Sequence, residues 1–227
     1  MDDKLLRFSA EGNLEKAKAL LEKGANPNVS DEYGYTPLLL AASEGRIELA
    51  RVLIERGADV NAKTTSGWTA LLWAASMGYG DMTRLLTENG ADMESRDQYG
   101  ATSLMKASRR GHLEVAKILL EKGANVNAKD DYDWTPLMRA CRRGYLELVN
   151  MLLDYGADSE THDQYGATAL IIAASEFYAQ VVKTLLERGA NANAVDRNGW
   201  TALRWASSMG YDPIVKILQS YGGTNVN

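Results

Sequence analysis

The chain has 227 residues, 45% hydrophobic and 24% charged, with a formal net charge of −5. These proportions belong to an ordinary folded protein and exclude a disordered tail, a collagen-like fibre and a disulfide-stapled miniprotein. The acidic balance argues against nucleic acid as the default partner, because phosphate binding calls for a basic surface. No run approaches the roughly 18 consecutive apolar residues of a membrane span, so no membrane association is expected. The opening Met1-Asp2-Asp3-Lys4 lacks the basic start and apolar run of a secretory signal. A lone cysteine, Cys141, makes no internal disulfide and fits a reducing compartment. These features together predict a cytoplasmic or nuclear monomer.

Internal repetition dominates the sequence. Gly-Ala-(Asp/Asn) recurs at Gly24, Gly57, Gly90, Gly123, Gly156 and Gly189, in steps of 33 residues, and Gly222 keeps the glycine phase. Leu5, Leu38, Leu71, Leu104, Leu137, Leu170 and Leu203 hold a second phase; Leu20, Leu53, Leu86, Leu119, Leu152, Leu185 and Leu218 hold a third. In chain order, a truncated unit at 1–30 precedes units at 31–63, 64–96, 97–129, 130–162, 163–195 and 196–227. In the unit 31–63, Thr36-Pro37 supplies a capping hydroxyl and a proline at the first helical position, which starts a helix. That helix runs from Pro37 to about Glu44 and is stopped by Gly45. A second, amphipathic helix runs from Ile47 to about Arg56, burying Ile47, Ala50, Val52, Leu53 and Ile54, and Gly57 provides its left-handed cap. Asp59 to Gly67 reads as a hairpin-like connection turning at Thr65-Ser66-Gly67. Helix pairs this short cannot bury their apolar faces alone, so stacked neighbours must complete the core.

The unit resembles the ankyrin repeat: Asp31-x-x-Gly34-x-Thr36-Pro37-Leu38-x-x-Ala41-Ala42-x-x-Gly45, then Leu53-x-x-x-Gly57-Ala58-Asp59-x-Asn61. The resemblance covers the whole chain. It implies an all-α fold, a solenoid of stacked helix pairs joined by β-hairpin-like loops. It also implies a single ankyrin-repeat domain over 1–227, with 1–30 and 196–227 as capping repeats. The histidine frequent in the family two places after the proline is replaced by Leu39, Leu72, Met105, Met138, Ile171 and Arg204. The usual hydrogen-bond network between repeats is therefore in question. Asp133 stands at a hairpin glycine position and Phe177 at the glycine between helices, so local deviation is expected at both.

No phosphate-binding, dinucleotide-binding or zinc-protease motif is present, and two histidines with one cysteine leave metal and thiol chemistry without ligands. An enzyme is not expected, and no cofactor is implied. His112 reads as a packing residue at a second helix, His162 as a solvated one, and Cys141 as an inert core thiol. The resemblance implies a binding module whose hairpin tips and first helices line a concave face that grips a protein or peptide partner. Aromatic residues crowd the tips: Tyr33, Tyr35, Trp68, Tyr99, Tyr132, Trp134, Tyr165 and Trp200. The first helices add Trp73, Met77 and Trp205, so that all five tryptophans sit at variable places. Such residues are enriched in binding hot spots, although tip aromatics also stiffen a stack by packing on neighbouring hairpins. A second pattern is the basic group Lys106, Arg109, Arg110, Arg139, Arg142 and Arg143, which predicts an acidic or phosphorylated ligand segment. Asp131 and Asp133 are candidates to neutralise part of it.

Other readings rest on finer resemblances. Trp68 with Trp73, a spacing repeated by Trp200 with Trp205, is similar to the aromatic pair of the histone-methyltransferase ankyrin modules that read methylated lysine through cation–π attraction. Gly67-Trp68-Thr69-Ala70 beside Lys106 is similar to the adenine-stacking site of the oligoadenylate-activated ribonuclease. A structural repeat without a dedicated ligand is the remaining alternative.

Overall fold

The computed structural model describes residues 1–224; the last three positions of the unit expected at 196–227 lie outside the described residues. Among the described residues the chain forms fourteen α-helices in successive pairs and no β-strand. The pairs are α1 (Asp2–Glu11) with α2 (Leu14–Glu22), α3 (Pro37–Ser43) with α4 (Ile47–Glu55), and α5 (Ala70–Met77) with α6 (Gly80–Glu88). They continue as α7 (Ser103–Arg110) with α8 (Leu113–Glu121), and α9 (Pro136–Cys141) with α10 (Leu146–Asp154). The last are α11 (Ala169–Ser175) with α12 (Ala179–Glu187), and α13 (Ala202–Ser208) with α14 (Asp212–Ser220). The expected pair in 31–63 is present, each helix ending one residue before its sequence estimate.

The first helices start where threonine can cap them. Thr36, Thr69, Thr135, Thr168 and Thr201 have extended backbones, and each hydroxyl accepts from the backbone N–H three residues on, at 3.1–3.4 Å. Pro37 and Pro136 then occupy first-turn positions, where no amide donor is needed. The leucines of the second phase are all buried, as are those of the third from Leu53 onward. Leu20 is only half-buried; Leu21 takes the covered place in α2.

The chain divides into two compact units, Met1–Ala107 with Glu114–Ala124, and Ser108–Leu113 with the residues from Asn125 onward. In the first, α3 packs between α1 and α5, while α4 packs between α2 and α6. In the second, α11 packs between α9 and α13, and α12 between α10 and α14. Leu39, Leu72, Met105, Met138 and Ile171, at the family's histidine place, are all buried apolar side chains, whereas Arg204 is exposed.

Polar connection between neighbouring repeats comes from asparagine instead. The Asn61 amide donates to the Gly90 carbonyl at 3.1 Å, and its oxygen accepts from the Asp92 N–H at 2.8 Å. Asn28 spans Gly57 and Asp59, Asn127 spans Gly156 and Asp158, and Asn193 spans Gly222 and Thr224 in the same way. Each side chain thereby satisfies a carbonyl and an N–H just beyond a second helix, groups the helix itself leaves unpaired. Tips are also joined, by single backbone bonds such as Thr65 N–H to Tyr33 O at 2.9 Å and Arg197 N–H to Tyr165 O at 2.9 Å.

The deviation expected at Asp133 and Phe177 does not occur. Both keep the left-handed backbone of the glycines they replace, with φ of 61° and 69°. The packing of the turn prevails over a conformational cost of about 1 kcal/mol per L-residue. Replacing Asp133 by glycine is therefore expected to stabilise the fold by about 0.5–1 kcal/mol, read from urea denaturation. Replacing Asn61 by alanine is expected to cost about 1–2 kcal/mol in the same measurement, because two backbone groups lose their shared partner.

Candidate functional site

The tip turns are built around one carboxylate. Asp31, Asp97, Asp130, Asp163 and Asp196 each accept, through one oxygen, the N–H groups two and four residues on, at 2.8–3.0 Å. At the sixth such position Thr64 stands instead; its hydroxyl accepts from Trp68 N–H at 3.1 Å and shares a hydrogen bond with the Ser66 hydroxyl at 3.1 Å. This closure turns the next side chain but one outward, which is why Tyr33, Tyr99, Tyr132 and Tyr165 are exposed. Tyr35, Trp68, Trp134 and Trp200, two places further on, are half-buried. Trp68 lies against Trp73 with ring centres 4.3 Å apart and planes tilted by 34°, and Trp200 against Trp205 at 4.7 Å and 54°. The tip aromatics thus separate into an exposed tyrosine set and a tryptophan set that packs.

The second carboxylate oxygen meets whatever side chain stands nine residues later on the first helix. Lys106 donates to Asp97, Arg139 to Asp130, and the Trp205 indole N–H to Asp196 at 3.0 Å. The Lys106 and Arg139 side chains are consequently only 11% and 20% exposed. Burial works to raise the Asp97 carboxyl, but the Lys106 hydrogen bond, the Ala101 and Tyr99 N–H groups and the Lys106 charge outweigh it, and the group sits below its ordinary range. The Lys106 ammonium also lies 4.5 Å from the Trp68 ring centre, so the cation over that tryptophan is the protein's own. Arg139 and Arg142 lie over Trp134 at 4.8 and 5.3 Å, and Arg204 over Trp200 at 4.7 Å.

The basic group read from the sequence is therefore divided. Lys106 and Arg139 are neutralised by buried Asp97 and Asp130, rather than by Asp131 and Asp133; Asp133 pairs with Lys129 at 3.6 Å. Arg142 reaches Glu176 at 3.5 Å in a solvent-exposed pair. Arg109, Arg110 and Arg143 are exposed, have no carboxylate partner among the described residues, and line with Tyr145 a cavity of about 340 Å³. Tyr145 was not singled out by its sequence context. Its ring lies against Gly111, where an added Cβ would come within 2.8 Å, and Tyr79 covers Gly45 in the same manner. The recurrence of tyrosine at 79, 145, 178 and 211, all multiples of the repeat apart, is the signal that marks this role.

Met77 is exposed at the end of α5, and His162 is exposed on its arm. Cys141 is fully buried, and burial pushes its thiol pKa far up, leaving no reactive thiolate. Among the described residues no group of histidine, cysteine and carboxylates could hold a metal ion, and no helix is long and apolar enough to cross a membrane.

Short capped helix pairs, asparagine-linked and with aspartate-closed tips, define a helical repeat protein. The family model described as "Ankyrin repeats (3 copies)" matches residues 5–97, 89–163 and 156–227. Among solved structures, the crystal structure of the human ASB11 ankyrin repeat domain is similar over 98% of this chain and 99% of that one, with 30% identity and a TM-score of 0.86. No curated protein sequence matches the chain. The chain belongs to the ankyrin-repeat family, whose members are in general protein-interaction modules and typically non-catalytic.

The buried pair yields a prediction with a definite sign. A carboxyl held below its ordinary value stabilises the fold above its unfolded pKa, about 3.9, and loses that contribution as pH falls through the lower folded value. Lys106→Met is expected to cost about 1–3 kcal/mol at neutral pH and to flatten the acid side of the stability profile, measured by urea denaturation between neutral and acid pH.

Proposed function

We propose that the protein is a non-catalytic module that binds a partner protein or peptide through acidic or phosphorylated residues. The observation that carries this reading is the cavity at Arg109, Arg110 and Arg143, because the other members of the basic group are neutralised within the fold and these three are not. Like charges gathered in a cleft raise the local potential and draw in anions, and the planar guanidinium suits carboxylate or phosphate bidentately. The Tyr145 hydroxyl adds a polar group to the same cavity. The exposed tip tyrosines Tyr33, Tyr99, Tyr132 and Tyr165 supply rigid amphipathic anchors of the kind enriched in hot spots. In this reading residues 1–227 act as one domain, a cytoplasmic or nuclear monomer, capped by 1–30 and by 196–227.

Immobilised protein exposed to a cell lysate, with and without prior phosphatase treatment, tests the assignment. Proteins released by moderate salt are expected from the native protein, and at least ~10-fold less of them from an Arg110→Glu/Arg143→Glu variant. Equal retention by the variant would remove these arginines from the contact.

A further inference from the structure

The tip carboxylates are equivalent in their first oxygen and differ in their second. Asp97 and Asp130 receive a cation from nine residues downstream, and Asp196 receives an indole N–H. Asp163 is as buried as these, at 6% exposure, and its first oxygen is engaged in the same way by Tyr165 and Ala167 N–H. Nine residues on, however, stands Ile172, which has nothing to donate. The second oxygen of Asp163 has no partner among the described residues. Asp31, which faces the same deficit with Leu40 at that place, lies exposed and is served by solvent.

Two backbone N–H donors hold the Asp163 carboxylate, while its second oxygen is left to solvent and offers a vacant acceptor to a charged group. Asp163 lines the wall of a cavity of about 500 Å³, together with Tyr165, Ile172, Glu176, Asp196 and Trp205. Its lining residues include three carboxylates and no basic side chain. Asp196 is committed to Trp205, and Glu176 is met from outside the lining by Arg142, whose guanidinium also lies over Trp134. The lining acids make no metal-binding group among the described residues. What remains is an acidic cavity with an apolar floor from Ile172 and aromatic walls from Tyr165 and Trp205. That combination suits a long apolar stem ending in a positive charge.

We infer that the cavity beside Asp163 is a receptor for a cationic side chain, an arginine or lysine of a partner protein, which takes the place that Lys106 and Arg139 fill within the chain in two other repeats. The inference rests on the reading of the protein as a partner-binding module only for the source of the cation. The guest's charge meets the second oxygen of Asp163, its stem lies on Ile172, and Tyr165 and Trp205 flank it. The chain thus presents a built-in acidic socket in the unit that also carries the unpaired arginines.

The test uses the whole protein and three small probes, N-acetyl-arginine amide, N-acetyl-lysine amide and the neutral N-acetyl-citrulline amide, followed by NMR. Titration with either cationic probe is expected to shift the Tyr165 and Ala167 amides and the Trp205 indole N–H, and the citrulline probe is expected not to. Asp163→Asn, which keeps an acceptor for both backbone N–H groups, is expected to weaken cation binding at least ~10-fold. Ile172→Arg is expected to pair with Asp163 internally, raise the melting temperature and abolish the shifts. Absence of shifts with both cations, equal shifts with citrulline, or binding unchanged in the folded Asp163→Asn or Ile172→Arg protein would overturn the inference. Because the probes need no natural partner, this result and that of the Arg110/Arg143 experiment can fail separately.

Discussion

The fold depends on one constraint: a helix pair of seven plus nine residues, such as α3 and α4, leaves its apolar side and its helix ends unsatisfied until another pair lies against it. Leucines at fixed phases meet the first need. At four junctions a single asparagine, Asn28, Asn61, Asn127 or Asn193, meets the second, since its amide gives to one backbone carbonyl and accepts from one N–H of the adjoining repeat. Cohesion between repeats is therefore built from nearest-neighbour terms, apolar packing and a directional polar clasp. At 160 the clasp is made by a glutamate, whose carboxylate accepts from Asn191 N–H at 3.1 Å. The geometry of the junction, more than the identity of the side chain, is what persists.

The same economy appears at the tips. One carboxylate oxygen closes the turn, and that task is constant; the other oxygen faces a position the turn does not constrain, and there the repeats diverge. A cation at Lys106 or Arg139 converts the site into a buried pair that also seats on tip tryptophans. An indole at Trp205 converts it into a neutral hydrogen bond. Isoleucine at 172 leaves the second oxygen without a donor from the chain. Breaking a buried pair is costly while omitting the cation from the start is tolerable when backbone donors hold the carboxylate. This is how a chain of similar repeats acquires chemically distinct surfaces without altering its scaffold.

Most of the fold was legible because period, glycine phase and threonine caps are local and repeated, so each repeat supports the reading of the others. The surface was less so. Clustered cations in sequence suggested one basic patch, yet Lys106 and Arg139 turn back to Asp97 and Asp130, a pairing hidden by its spacing of nine residues and visible only once the tip turn is drawn. Tyr145 escaped notice because its role is set by Gly111, a residue of the preceding repeat. At the Asp163 cavity the sequence marked Tyr165 and Trp205 but not the acid between them, since its defining feature is a donor that Ile172 lacks. Charges and aromatics announce themselves in a sequence; a missing counterpart does not.

The tyrosines laid over the loop glycines carry a consequence for inheritance. Gly144 lies so close beneath the ring of Tyr178 that a side chain there would displace it, and at the following junction Phe177 lies against Tyr211. A change at one loop is thus judged by a residue 34 positions away, in the adjacent repeat. Fit is decided at the junctions rather than within the repeats, and a repeat transplanted between two foreign neighbours would arrive with half of each of its two contracts.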